Sequence, residues 1–376
     1  MGRPKGNLAW RDSSNVERKK PDKKKQASKK AVNVAPPVKD YEGPIPFELL
    51  QLLLNIFKNS FAQLLESDFA PLLQEVKQHL FNRDFAQAFG RQDYLEVYAA
   101  RWSSSRALGY LEIFEYISKH AFKSNKHDGG DSRASYKAVC FGGGGGAEVT
   151  ALGGFLDFLS RQSGVRVGSA LPDQTTEASN RPRVMNFDVH CVDIANWGPV
   201  ADSLYTSMLS TPPIYKYASA AAKTANKPLL ETSSFHVTSH QQDLLDLDVP
   251  ALSILLQDAN LVTLMFTLNE LYSTSLSKTQ ALLLKMTACI KKGAYLLVVD
   301  SPGSYSTISL NGSEKNYPMQ WLLDHTLLRK AALEDPASWE KLESDESRWF
   351  RLPQGLKYPI ELENMRYQLH LFQKLD

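Results

Sequence analysis

The stretch Val139-Cys140-Phe141-Gly142-Gly143-Gly144-Gly145-Gly146-Ala147-Glu148 decides the fold. An apolar run over 136–141 leads into five consecutive glycines and then into a segment, 147–162, in which Val149, Leu152, Phe155, Leu156 and Leu159 recur at helical spacing. A plain flexible linker would not sit between an apolar strand and an amphipathic helix. The glycines therefore mark a strand–turn–helix junction, where the backbone must turn sharply and a Cβ would obstruct an approaching ligand.

Strands and helices alternate downstream of this junction. The pattern predicts strands over 187–193, 234–237, 261–266 and 295–300, a helix over 277–291, and terminal strands over 348–352 and 365–374. Such alternation gives an α/β fold, a parallel sheet with helices on both faces. Upstream, Leu49, Leu50, Leu53, Leu54 and Phe57, then Leu64, Leu65, Phe69, Leu72, Leu73 and Val76, have helical spacing. The expected organisation is a basic tail over 1–42, a helical region over 43–122, and an α/β domain over 136–376. Polar insertions near 164–184 and 211–231, disordered or functional, interrupt that domain.

With 376 residues, 43% of them hydrophobic, the chain can build one large core or two smaller ones. No apolar run approaches a membrane span, and the Lys-rich start lacks the apolar segment of a secretory signal. Cys140, Cys191 and Cys289 stand singly in apolar segments, which predicts a reducing compartment and neither disulfides nor zinc. His120, His127, His190, His236 and His240 lack metal-ligand spacing, so no metal is expected. Residues 1–30 carry 11 Lys/Arg against Asp12, Glu17 and Asp22, whereas the rest of the chain is mildly acidic. Such a run suits nuclear import or phosphate contact, or serves only as a solubilising tail.

Two ligands fit the glycine loop. Gly142-x-Gly144-x-x-Ala147 satisfies the dinucleotide fingerprint, and Gly142-x-Gly144-x-Gly146 the glycine pattern of S-adenosyl-L-methionine (SAM) sites. Asp193, closing the second strand, would take ribose hydroxyls in either case, or cap the next helix. Asp243, after the third strand, could accept from an exocyclic amine or act as an N-cap. The segment 267–272 follows the fourth strand and should line the reaction centre. There Asn269 offers an orienting amide, Glu270 a general base and Tyr272 a π-face, unless Asn269 only caps a helix and Glu270 is solvated. Arg101, Trp102 and Arg106, with Tyr94 and Tyr98, interleave aromatic and guanidinium planes on which an unpaired base could stack. A core-facing aromatic stripe accounts for them equally well.

The Phe-Gly-Gly-Gly-Gly-Gly-Ala-Glu run at 141–148, Gln-Gln-Asp at 241–243, Phe-Thr-Leu-Asn-Glu-Leu-Tyr at 266–272, and Leu-Lys-Tyr-Pro with Glu-Asn-Met-Arg-Tyr within 356–367 together resemble the fungal 25S rRNA (uridine-N3) methyltransferase family. So does Arg-Trp-Ser-Ser-Ser-Arg-Ala-Leu at 101–108. The resemblance covers about residues 45–376. It implies a Rossmann-like class I methyltransferase sheet, mostly parallel with an antiparallel C-terminal strand, under an N-terminal helical cap. It also implies SAM as methyl donor and large-subunit rRNA, or the pre-60S particle, as partner. A monomeric protein of the nucleus or nucleolus is expected, with the cytoplasm as a second location. On the same resemblance Gly142, Gly144, Gly146 and Glu148 lie along the methionine part of SAM, Asp193 takes the ribose, Asp243 the adenine edge, and Asn269 and Glu270 face the methyl. The acid usual two residues before the first loop glycine is Cys140 here. The competing readings are a methyltransferase of another substrate class, a dinucleotide oxidoreductase, and a ribosome-assembly factor that binds RNA without turnover.

Overall fold

The computed structural model describes residues 41–122, 134–162, 185–214, 216–217, 219–303, 305–310, 313–328 and 337–375. Residues 1–40 of the basic tail and the insertion near 164–184 fall outside the described residues. Nine strands are present among those described: β1 (Ala134–Phe141), β2 (Met185–Asp193), β3 (Phe235–Gln241), β4 (Leu261–Met265), β5 (Tyr295–Asp300), β6 (Tyr305–Leu310), β7 (Ser313–Pro318), β8 (Trp339–Phe350) and β9 (Met365–Lys374). Seven form one sheet in the order β3-β2-β1-β4-β5-β9-β8, and β6 pairs with β7 in a separate hairpin. Pairings among β1 to β5 are all parallel. β9 runs antiparallel to both β5 and β8, so β8 points in the same direction as β5.

The central strands are apolar on both faces, as burial under two helical layers requires. In β1 the alternation divides neighbours between two cores: Ala138 and Cys140 face one, Val139 and Phe141 the other. The helix Ala147–Gln162 covers the first face together with the cap helices Phe47–Ser60 and Ser104–Ile117. Leu49, Leu53, Leu108 and Leu111 of the cap share that core with Phe155 and the β9 residues Tyr367 and Leu369. Cap and sheet are thus one packing unit. The second face carries the helices Val249–Leu256, Leu276–Cys289 and Met319–Leu327, through Leu252, Leu282 and Leu323.

Four features differ from the sequence expectation. β3 and β8 extend beyond 234–237 and 348–352 because both are edge strands, where polar and charged residues such as Glu340, Lys341 and Glu343 take the place of an apolar run. The β6–β7 hairpin has no apolar alternation to announce it. The stretch 211–231 contains a short helix, Ala220–Ala225. Among the described residues no helix is long and apolar enough to cross a membrane.

After β1 the chain winds outward through β2 and β3, then returns to the other side of β1 as β4. That reversal opens a crevice at the carboxyl ends of β1 and β4, the usual ligand position in open α/β sheets.

Candidate active site

A cleft of about 710 Å³ occupies this crevice. Its floor begins at the glycine turn. Gly142 and Gly146 have φ of +74° and +78°, left-handed values that other residues rarely adopt. The Gly142 amide donates to Val192 O at 2.8 Å, which ties the turn to the end of β2. A Cβ on Gly142 would lie 2.2 Å from Thr267 Oγ1, and one on Gly144 2.0 Å from Cδ1 of Trp197. The loop is therefore clamped between the segment after β4 and an indole from the segment after β2.

Not every glycine expected at the ligand faces it. Gly142 and Gly145 line the cleft, whereas Gly144 lies under Trp197 and Gly146 packs against Leu204. Glu148 is also displaced. Its carboxyl group is 2% exposed and sits beneath Gly143 beside Cys140, accepting from the Thr263 hydroxyl, because the first turn of the helix directs it back under the loop. Burial pushes it from 4.5 up to about 8. Between those values the folded chain keeps a proton that the unfolded chain has lost, so this group lowers stability as pH rises across that window. Glu148→Gln accordingly raises Tm near pH 8, and the gain disappears by about pH 4, as thermal unfolding at the two pH values will register.

Asp193 and Asp243 both line the cleft. Asp193 Oδ1 accepts from the Ala195 amide at 3.0 Å and Oδ2 from the Gly144 amide at 3.4 Å, which orients the carboxylate at the loop. Burial pushes its pKa up, against the pull of those two amides. Asp243 Oδ1 caps the short turn Leu244–Asp246 by accepting from the Leu245 amide at 2.9 Å, while Leu244 and Leu245 add an apolar surface beside it. The N-cap is present, and the residue still borders the cleft.

At the opposite end Asn269 and Glu270 come together with a residue that sequence reasoning passed over, Asp300, the last residue of β5. Asp300 is 2% exposed; its Oδ2 accepts from the Asn269 amide at 2.9 Å and its Oδ1 from the Ser301 amide at 2.7 Å. Burial pushes its pKa up to about 6, outweighing those amides, with neighbouring Glu270 adding to the rise and Arg106 opposing it. Glu270 itself is ion-paired through Oε1 with Arg83 of the cap at 3.3 Å. Phe266, between β4 and this group, has φ of +57°, an uncommon strain for a bulky residue and one that clusters at functional sites.

Aromatic rings form the mouth. Tyr98 lies 5.2 Å from Phe89, 5.1 Å from Trp102 and 5.6 Å from Trp197 between ring centroids. The Arg106 guanidinium rests 5.0 Å above the Phe266 ring and donates to the Tyr98 hydroxyl at 2.5 Å. A π-helical turn, Ala99–Ser103, lies within this helical stretch, between Tyr98 and Arg106. Trp102 and Arg106 line the cleft, and Arg101 does not. Its side chain is buried on the flank of the helix and paired with Glu363, pinning the loop before β9. Tyr272 is likewise no cleft residue; one helical turn beyond Leu268 it points into the second core and is 3% exposed. Phe85 and Phe89, four residues apart on one short helical turn, and Trp197, from the segment after β2, were missed because neither segment carries a motif.

The cleft is within the about 300–1,000 Å³ of small-molecule sites. It joins two carboxylates and an apolar shelf to a glycine turn at one end, and a buried acid to stacking surfaces at the other. These residues fit SAM: Asp193 and Asp243 would hold the nucleoside, with Gly142 and Gly145 giving room along the turn. Fold and site together define a SAM-dependent methyltransferase of the class I architecture.

The SAM-dependent methyltransferase family profile matches residues 57–373, and the chain belongs to that family. The chain is also 30% identical to the 25S rRNA (uridine(2843)-N(3))-methyltransferase of Saccharomyces cerevisiae, over 86% of its own length and 85% of the yeast protein. Among solved structures it is similar to the N-methyltransferase NodS of Bradyrhizobium japonicum with bound S-adenosyl-L-homocysteine, at TM-score 0.35 and 10% identity over 81% of this chain and 98% of that one. Another is the Burkholderia thailandensis 1,6-didemethyltoxoflavin-N1-methyltransferase, at TM-score 0.37 and 10% identity over 80% and 89%.

Proposed function

We propose that the protein methylates N3 of a uridine in large-subunit rRNA, acting as a monomer in the nucleus or nucleolus on free rRNA or a pre-60S particle. The observation that carries this reading is Asp300: a buried carboxylate, oriented by two backbone amides, at the floor of a cleft whose mouth is built for a planar base. Similarity to the yeast uridine-N3 enzyme supports the same target.

Uridine N3 carries a proton and is a weak nucleophile until that proton leaves. A base poised near neutral pH removes it best. Asp300, held near 6 by burial, meets that requirement better than Glu270, whose charge is already shared with Arg83. We therefore assign proton acceptance to Asp300 and make Glu270 a positioning group that holds the cap against the cleft. Asn269 aligns Asp300 through its backbone amide. Tyr98, Trp102 and Phe266 offer faces to an unpaired uracil, and Arg106 can donate to a uracil carbonyl, stabilising the charge left as N3 loses its proton. N3 lies on the pairing edge, so the target base must be unpaired or flipped. SAM, when bound, supplies a sulfonium methyl to the nucleophile.

Labelled SAM incubated with a mixture of rRNA and protein from cells lacking this chain tests the substrate class. Label in the large-subunit rRNA is the expected result. Label confined to protein or small molecules would overturn the assignment.

A further inference from the structure

The body of the chain is mildly acidic, yet a partner rich in phosphate must reach the cleft. Arginines placed for that task should be exposed, free of carboxylates and close to the same rim of the sheet. Ser301 lines the cleft, and its carbonyl accepts from Gln368 Nε2 at 2.8 Å. Gln368 pairs with Asp300 on β9, and Arg366 lies two residues further toward the rim on the same face. Opposite Arg366 in the ladder stands Trp349, near the carboxyl end of β8. β8 points the same way as β5, so this end of it shares the rim that bears the cleft. Two strand spacings, about 10 Å, separate β5 from β8.

Trp349 is 47% exposed, unusual for so large an apolar ring. The Arg351 guanidinium stacks 3.8 Å from its centroid, and that of Arg366 lies 5.7 Å away. Arg366 Nε donates to Ser347 Oγ at 3.0 Å, which fixes its direction. Neither arginine has a carboxylate partner among the described residues; nearby Asp345 is taken up by Arg348 at 3.8 Å. An exposed indole with two guanidinium groups over its ring, free of carboxylate partners, is a surface prepared for phosphate and base planes.

We propose that Trp349, Arg351 and Arg366 dock the single-stranded RNA flanking the target uridine, with two phosphates at the two arginines. This rests on the rRNA reading above. The test uses the full chain and an rRNA fragment that contains the target. Binding is measured over a salt series, alongside steady-state methyl transfer, for the parent, Arg351→Ala/Arg366→Ala and Arg351→Lys/Arg366→Lys. The expected result for the alanine pair is a salt slope of log K shallower by about 1.4, from about 0.7 per phosphate on a single strand. Its KM rises about 10-fold or more, while kcat and S-adenosylhomocysteine affinity stay at the parent level, and the lysine pair recovers most of the slope. An unchanged slope and KM in the alanine pair would overturn the docking surface and leave the rRNA reading standing. So would loss of a ribosomal-protein contact at unchanged RNA slope, which would give the surface to a protein. A parent chain that binds no RNA would overturn the substrate reading and the docking surface together.

Discussion

Asp300→Asn lowers the rate of methyl transfer by about 10²–10⁴-fold, the range for removal of a positioned general base. Its affinity for S-adenosylhomocysteine changes little, because Asp193 and Asp243 border the other end of the cleft. Asparagine keeps an oxygen able to accept from the Asn269 amide, so the turn after β4 retains its anchor. The pH profile separates loss of a base from loss of structure. In the parent, kcat rises as pH climbs through about 6, where Asp300 gives up its proton in the folded chain. In Asp300→Asn that limb is absent. Glu270→Gln provides the contrast: it removes the Arg83 ion pair, a half-exposed contact worth little in water, and keeps the limb. A profile unchanged in Asp300→Asn but flattened in Glu270→Gln would reverse the two assignments.

Gly142→Ala carries the second large effect, on the cofactor side. The position has φ of +74°, and the new methyl would stand 2.2 Å from Thr267 Oγ1. That hydroxyl is itself committed to Phe141 O at 3.1 Å, so it cannot step aside without loosening the turn. Strain of about 1–3 kcal/mol at such a site is relieved by moving the loop away from its ligand-binding position. Calorimetry should register S-adenosylhomocysteine affinity weaker by about 100-fold, the equivalent of close to 3 kcal/mol. Tm drops less dramatically, since the loop lies at the end of the strands and the two cores stay packed. Undiminished affinity would show that the turn does not carry the cofactor.

The glycine turn and strands β1, β2, β4, β5 and β9 were readable because each is an apolar run bounded by residues that break regular structure. The helix Ala147–Gln162 was readable to its ends for the same reason. β6, β7 and most of β8 were not: at the edge of a sheet or in a lone hairpin, burial does not force an apolar pattern. In the site, Asp193, Asp243, Asn269 and Glu270 could be found because they follow strands, and the carboxyl ends of parallel strands converge. Asp300 obeys the same rule as the closing residue of Val-Val-Asp at 298–300, and applying the rule to the fifth strand as well as the fourth would have found it. Arg101 and Arg106 look alike in sequence. Residues 98, 102 and 106 follow one helical face through the π turn, whereas Arg101 falls on the flank, where it meets Glu363. Phe85 and Phe89 stack as an i,i+4 pair, but they meet Trp197 only through tertiary packing, which no local spacing encodes.

Nucleoside mass spectrometry of the methylated rRNA distinguishes uridine-N3 transfer at this cleft from transfer to any other atom. Large-subunit rRNA lacking the modification is incubated with the full chain and labelled SAM, then digested to nucleosides. Label in 3-methyluridine, and its disappearance with Asp300→Asn, is the expected result. Label in any other nucleoside, or 3-methyluridine formed at parental rate by Asp300→Asn, would contradict it.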